Sequence, residues 1–206
     1  PAEGIRHPWP EPPPEGEATQ VAEGVLWMRL PLPMRLDHMN AYALRDGDGW
    51  TVVDTGFDDD RSRRIWGQLL AGPLAGAPVV RVLATHQHPD HIGLAGWFVE
   101  QGAELWTSRT AWLFARMLAL DAQEQATAEQ IAFWRRAGMD PDRLTQRASE
   151  RPWNTADVVH PLPLGFRRVR EGETLQLAGR RWLVAMGEGH SAEHITLWSQ
   201  DDGLVI

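Results

Sequence analysis

The chain has 206 residues, 43% of them hydrophobic, enough to bury one core and close to the size of a single domain. It has no cysteine, which excludes disulfides and thiolate metal sites, and all 20 of its basic residues are arginine. A formal net charge of -8 offers no general attraction to nucleic acid or an anionic membrane, and no apolar run approaches a bilayer span. A cysteine-free chain of this kind fits a cytoplasmic location.

Residues 1–17 carry Pro8, Pro10, Pro12, Pro13 and Pro14 with little to bury, so an extended, poorly packed lead-in is expected ahead of a domain over 18–206. Gly24–Leu30, Asn40–Leu44 and Trp50–Val53 read as three antiparallel strands, the last two joined by the turn Asp46-Gly47-Asp48-Gly49. Asp58 to Asp60 supply caps for a helix through Leu70, which Gly72-Pro73 ends. Val79–Ala84 reads as a strand buried on both faces, followed by a helix over Gly93–Gln101 and a short strand Glu104–Trp106. This alternation predicts an α/β protein. Residues 108–150 then turn helical, an insertion in which Trp112, Phe114, Met117, Phe133, Trp134, and Trp153 just beyond it, are expected as core contacts. Strands return at Thr174–Leu177, Arg181–Ala185, Ile195–Trp198 and Gly203–Ile206. Beginning at Pro1 without Met and stopping after the apolar Leu204-Val205-Ile206, the sequence reads as a fragment.

The chemistry concentrates in Thr85-His86-Gln87-His88-Pro89-Asp90-His91, at the mouth of the buried strand. A lone histidine is usually structural, but three imidazoles and a carboxylate within six positions repel and desolvate one another unless a cation compensates them. Imidazole and carboxylate suit zinc, and iron or manganese as well. In an extended loop His86 and His88 face one ion while Gln87 points away, and Pro89 restrains His88 to extended geometry. Gly93 and Gly96 allow the following helix a close approach.

This loop resembles the HxHxDH signature of the metallo-β-lactamase superfamily, in its glyoxalase-II-like branch. Val53-Asp54-Thr55-Gly56 resembles that family's early DTG turn, and Gly189-His190-Ser191-Ala192-Glu193-His194 its later Gly-His segment, in the same order. The resemblance implies a four-layer αββα sandwich, C-terminally incomplete in this chain. It implies His86, His88 and His190 as ligands of one metal, Asp90 and His91 as ligands of a second, and Asp90 as the residue that orients water or carries its proton. Asp54 and His194 are expected to support these ligands rather than to bind metal. Two departures stand out: Glu188 replaces the family's usual proline, and the bridging Asp and last His of the pattern lie beyond Ile206. A weak or empty second metal site is therefore expected.

His38 reads as part of a solvated loop, and Arg167, Arg168 and Arg170 as a charged surface that could hold an anionic substrate. By resemblance the activity is a zinc-dependent hydrolysis, by hydroxide formed on the metal, of a small ester, thioester or lactone. The alternatives are a metal-dependent endoribonuclease on single-stranded RNA, against which the lack of a basic stripe counts, and a catalytically incomplete metal-binding fragment.

Overall fold

The computed structural model describes residues 8–206. Four strands open the fold: β1 (Thr19–Ala22), β2 (Val25–Pro31), β3 (His38–Asp46) and β4 (Gly49–Val53), each antiparallel to the next. Gly47, at φ 57, makes the tight turn between β3 and β4. The helix α1 (Asp60–Ala71) starts where the Asp59 carboxylate accepts the Ser62 N–H at 2.7 Å, and it buries Ile65, Trp66 and Leu69 at helical spacing. β5 (Val79–Leu83) and β6 (Glu104–Thr107) then join in parallel, with α2 (Pro89–Ile92) and α3 (Ala95–Glu100) between them. After α4 (Arg109–Leu120), α5 (Ala128–Arg136), α6 (Pro141–Ser149) and a 3-10 turn at Thr155–Asp157, the chain returns as β7 (Arg167–Arg168), parallel to β6. The large sheet runs in the order β1 to β7. A second, antiparallel sheet follows: β8 (Thr174–Leu177), β9 (Arg180–Gly187) and β10 (His194–Ser199).

The alternation of side chains along the strands builds two cores. On one face of the large sheet Met28, Leu30, Val52, Val82 and Leu105 pack with Trp66, Leu69 and Phe98 of the helices. On the other, Val25, Leu44, Val53 and Leu83 meet Leu175, Leu177, Trp182, Val184, Ile195 and Leu197 of the small sheet. Val82 and Leu83 thus belong to different cores, which explains why the end of β5, past Arg81, is apolar on both faces. The outer face of the small sheet presents the exposed Thr174, Gln176, Arg181 and Trp198. The described residues therefore form three layers of the expected sandwich: helices, large sheet, small sheet. No helix among them is long and apolar enough to cross a membrane.

Several expectations need correction. The helix read over Gly93–Gln101 is α3, starting two residues later at Ala95, and a separate single turn of helix, α2, precedes it over Pro89–Ile92. Gly203–Ile206 is no full strand; it makes an isolated bridge, Val205 opposite Trp198. His38 is the first residue of β3, not loop, with its Nδ1 2.5 Å from Asp37. In the insertion, Phe114, Met117, Phe133 and Trp153 are exposed rather than core. Helical spacing finds an apolar face but not the direction it is turned: α4 buries its small residues Ala111 and Ala115, and α5 and α6 bury none. Trp112 alone of that set is well engaged, stacked on Phe166 with its indole N–H donating to the Pro163 carbonyl at 3.1 Å. Before β1, residues 8–18 form no helix or strand; Pro13 is nevertheless buried and accepts a hydrogen bond from Arg29 at 3.0 Å.

Candidate metal centre

The parallel strands β4, β5 and β6 end along one edge of the large sheet, and the loops leaving them carry the site. Asp54, just past β4, donates its N–H to the Leu83 carbonyl, and Ala84, just past β5, donates to Trp106 of β6. From Ala84 the chain enters Thr85–His88. His86 Nε2 lies 3.0 Å from His88 Nδ1, His88 Nδ1 lies 3.0 Å from His190 Nε2, and His190 Nε2 lies 3.2 Å from His86 Nε2.

Asp54 organises this triangle from behind. It is buried and adopts φ 61, a left-handed conformation that few non-glycine residues take. Its carboxylate accepts the Thr85 N–H at 2.8 Å and the Thr85 hydroxyl at 2.9 Å. Since the hydroxyl proton is committed to Asp54, the Thr85 oxygen accepts from His86 Nδ1 at 2.9 Å. That leaves His86 Nε2 as a bare lone pair facing the other two rings. Burial, then the neighbouring histidines, push the His86 pKa down to about 2; burial and His190 lower that of His88 as well.

His190 comes from the loop between β9 and β10. That loop is fastened by the Ile195 N–H to the Thr85 carbonyl at 2.9 Å, and by Glu193 accepting the Thr110 N–H of α4 at 2.8 Å. His194 lies with its ring centroid 4.4 Å from that of His86, beside the triangle rather than in it.

Asp90 and His91 form a separate array. His91 Nδ1 sits 2.7 Å from Asp54 and its Nε2 sits 3.3 Å from Asp90, so a carboxylate holds each ring nitrogen. Burial opposes a charge on His91, but the two carboxylates outweigh it and raise its pKa to about 10. Burial likewise opposes the Asp90 charge and is the largest single influence, but the hydrogen bond and charge of His91 together with a backbone hydrogen bond outweigh it and hold the carboxyl below its ordinary value.

The triangle fits a metal ion. A tetrahedral ion with metal–nitrogen bonds of about 2.0–2.1 Å places its ligand nitrogens about 3.3 Å apart, close to the spacing of these three rings. Among the described residues, His86, His88 and His190 make the one group of three that could hold an ion in this way. Asp90 and His91 lie outside it, as do Asp54 and His194.

The arginines read as an anion site are largely engaged: Arg167 pairs with Glu173, and Arg168 lies 3.7 Å from Glu193. They line a surface cavity of about 760 Å³ together with Arg170, Glu171 and Glu173, so its charge is mixed. Glu188 is exposed. The sequence reading missed Thr85 as the link between Asp54 and His86, although its place beside His86 was the available signal. It also missed His160, whose ring lies 3.2 Å from Asp58 and 3.1 Å from Glu100, joining α3 to the chain that returns from the insertion.

A sequence profile of the Metallo-beta-lactamase superfamily matches residues 35–206. A search of curated proteins found no match. Among solved structures, a beta-lactamase domain protein from Burkholderia ambifaria is 39% identical with a TM-score of 0.82, the match covering 96% of this chain and 57% of that one. A metallo-beta-lactamase family protein from Thermus thermophilus is 26% identical with a TM-score of 0.70, covering 89% and 58%. A subclass B3 metallo-beta-lactamase of Bradyrhizobium japonicum, at 16% identity and a TM-score of 0.57 over 94% and 60%, shares the fold. The chain thus spans less than two thirds of the length of each of these proteins. With the profile matched across most of the sequence and the histidine loop lying within the match, the chain belongs to the metallo-β-lactamase superfamily.

Proposed function

We propose that this chain carries the metal-binding part of a metal-dependent hydrolase acting on a small ester, thioester or lactone, with His86, His88 and His190 as the ligands of one ion, zinc by default. The observation that supports this most is the convergence of three ring nitrogens at 3.0–3.2 Å, with the proton of His86 directed away from them. A divalent ion bound there supplies Lewis acidity and lowers the pKa of water to roughly 7. The chain's own residues supply the rest. Asp54 and Thr85 fix the orientation and tautomer of His86, and His194 packs against its ring. To Asp90, two residues from His88 and kept ionised beside the His91 ring, we assign the uptake of the proton at its carboxylate. A second ion at Asp90 and His91 would need only His91 Nε2, with Asp54 left on Nδ1, but these two side chains alone would hold it where three histidines hold the first, so one tightly held ion per chain is the expected state.

The test is hydrolysis of a thioester and lactone panel by metal-reconstituted protein. Asp90→Asn is expected to lower kcat by about 10² or more while the metal content stays at the wild-type level. Equal kcat in wild type and variant would remove Asp90 from the chemistry, and inactivity across the panel would reject the substrate class. The pairing of Arg167 and Arg168 with carboxylates gives the ribonuclease reading no support.

A further inference from the structure

We infer that the hydrogen bond between Ser191 and Gln87 is a positioning clasp that holds the two ligand loops in register, so that His190 meets His86 and His88 already at ligand spacing. This rests on the assignment of those three histidines as the metal site.

The argument starts from how poorly His190 is otherwise held. Gly187, Glu188, Gly189 and His190 are all exposed, and nothing outside its chain neighbours approaches a Cβ position at Gly189 within 4 Å. The loop's other fastenings, through Glu193 and Ile195, lie three and five residues further on. Ser191 is where the loop turns inward: it is buried, and its hydroxyl donates to Gln87 Oε1 at 2.6 Å. Its alternative acceptor, the adjacent Ala192 carbonyl, is distant at 3.4 Å.

Gln87 is the residue between the two ligands of the other loop. His86 and His88 turn their ring nitrogens to His190, while Gln87 between them reaches Ser191 instead. The two loops thus meet through the ring nitrogens and through this hydrogen bond, beside the backbone bond from Ile195 to Thr85 where the metal loop begins. The clasp sets the relative position of loops that arise from different sheets, β5 in the large one and β9–β10 in the small one.

Gln87 is only partly buried, so water can replace its partner when Ser191 is truncated, and the fold should survive the change. The probe is Zn²⁺ affinity of the full chain, measured by competition with a chromophoric chelator, together with the visible spectrum of the Co²⁺-loaded protein. Ser191→Ala and Gln87→Ala should each weaken Zn²⁺ binding by about 10-fold, with altered Co²⁺ bands and an unchanged Tm of the metal-free protein. The double variant should be no weaker than either single one, and Ser191→Thr, which keeps the hydroxyl, should bind like wild type. Unchanged affinity and spectra in both single variants, or losses that simply add, would overturn the clasp while leaving the metal site intact. Wild-type protein that binds no ion, or binds it equally well as His190→Ala, would instead overturn the site on which the clasp rests.

Discussion

Asp54 combines three demands: a left-handed backbone, a buried carboxylate, and hydrogen bonds to both Thr85 and His91. Asn tolerates the same backbone but lacks the charge, so Asp54→Asn should keep the turn and lose the counter-ion of His91. Its Tm should fall, and that of Asp54→Ala should fall further, since Ala also leaves the Thr85 N–H unpaired and fits φ 61 poorly. Thr85→Val conserves shape but cuts the link to His86. It should weaken Zn²⁺ binding by about 10-fold in an equilibrium titration, and wild-type affinity would show that His86 needs no such orientation. At this scale the sequence was most legible where the residues are contiguous. His86, His88 and the loop around them declared themselves by density alone. What Asp54 holds, and that His91 lies between two carboxylates, depends on contacts 31 and 37 residues apart in sequence that no local pattern encodes.

The helix α3 can approach the return chain only because Gly96 lacks a side chain: a Cβ there would stand 2.1 Å from the Pro161 carbonyl oxygen. Gly93 is equally constrained, at 2.3 Å from the Gly56 carbonyl. Gly96→Ala should therefore destabilise the protein by roughly 1–3 kcal/mol. Gly67, exposed inside α1 with open space around it, should do the reverse, and Gly67→Ala should stabilise by up to about 1 kcal/mol in denaturant titration. A like sign for the two would show that packing at Gly96 is looser than described. Glu193 couples α4 to the ligand loop. The hydrogen bond from Thr110 holds its carboxyl below the ordinary 4.5 against a smaller cost of burial, with Arg168 assisting. A depressed folded pKa stabilises above 4.5 and loses that contribution as pH falls through the folded value. Glu193→Gln should thus lower Tm at neutral pH, with the difference from wild type closing in acid; a difference independent of pH would exclude this charge as its source. The elements themselves were readable from caps and periodicity, as α1 and β5 show. The direction of the α4 face was not, because Leu113 and Met117 keep the same spacing whether turned toward the sheet or away from it.

At the scale of the whole molecule, the two sheets matter because each delivers part of one site: the large sheet brings His86 and His88, and the small sheet brings His190. The small sheet is docked by Trp182, Ile195 and Leu197 against Val53 and Leu83, residues next to Asp54 and to the metal loop. Folding of the inter-sheet core and assembly of the triangle are thus one event, and metal should stabilise the folded protein in proportion to its affinity. The two-sheet α/β arrangement followed from the order of strands and helices together with the family resemblance; the pairing of β7 with β6 across the whole insertion did not, since two residues carry no periodicity.

The most direct measurement is the metal content and Zn²⁺ affinity of the purified chain, determined by elemental analysis and competition titration beside His86→Ala and His190→Ala. One tightly held ion per chain, lost or greatly weakened in both variants, is the predicted result. No bound ion, or one retained unchanged when either histidine is removed, would contradict the assignment of His86, His88 and His190 as a single metal centre.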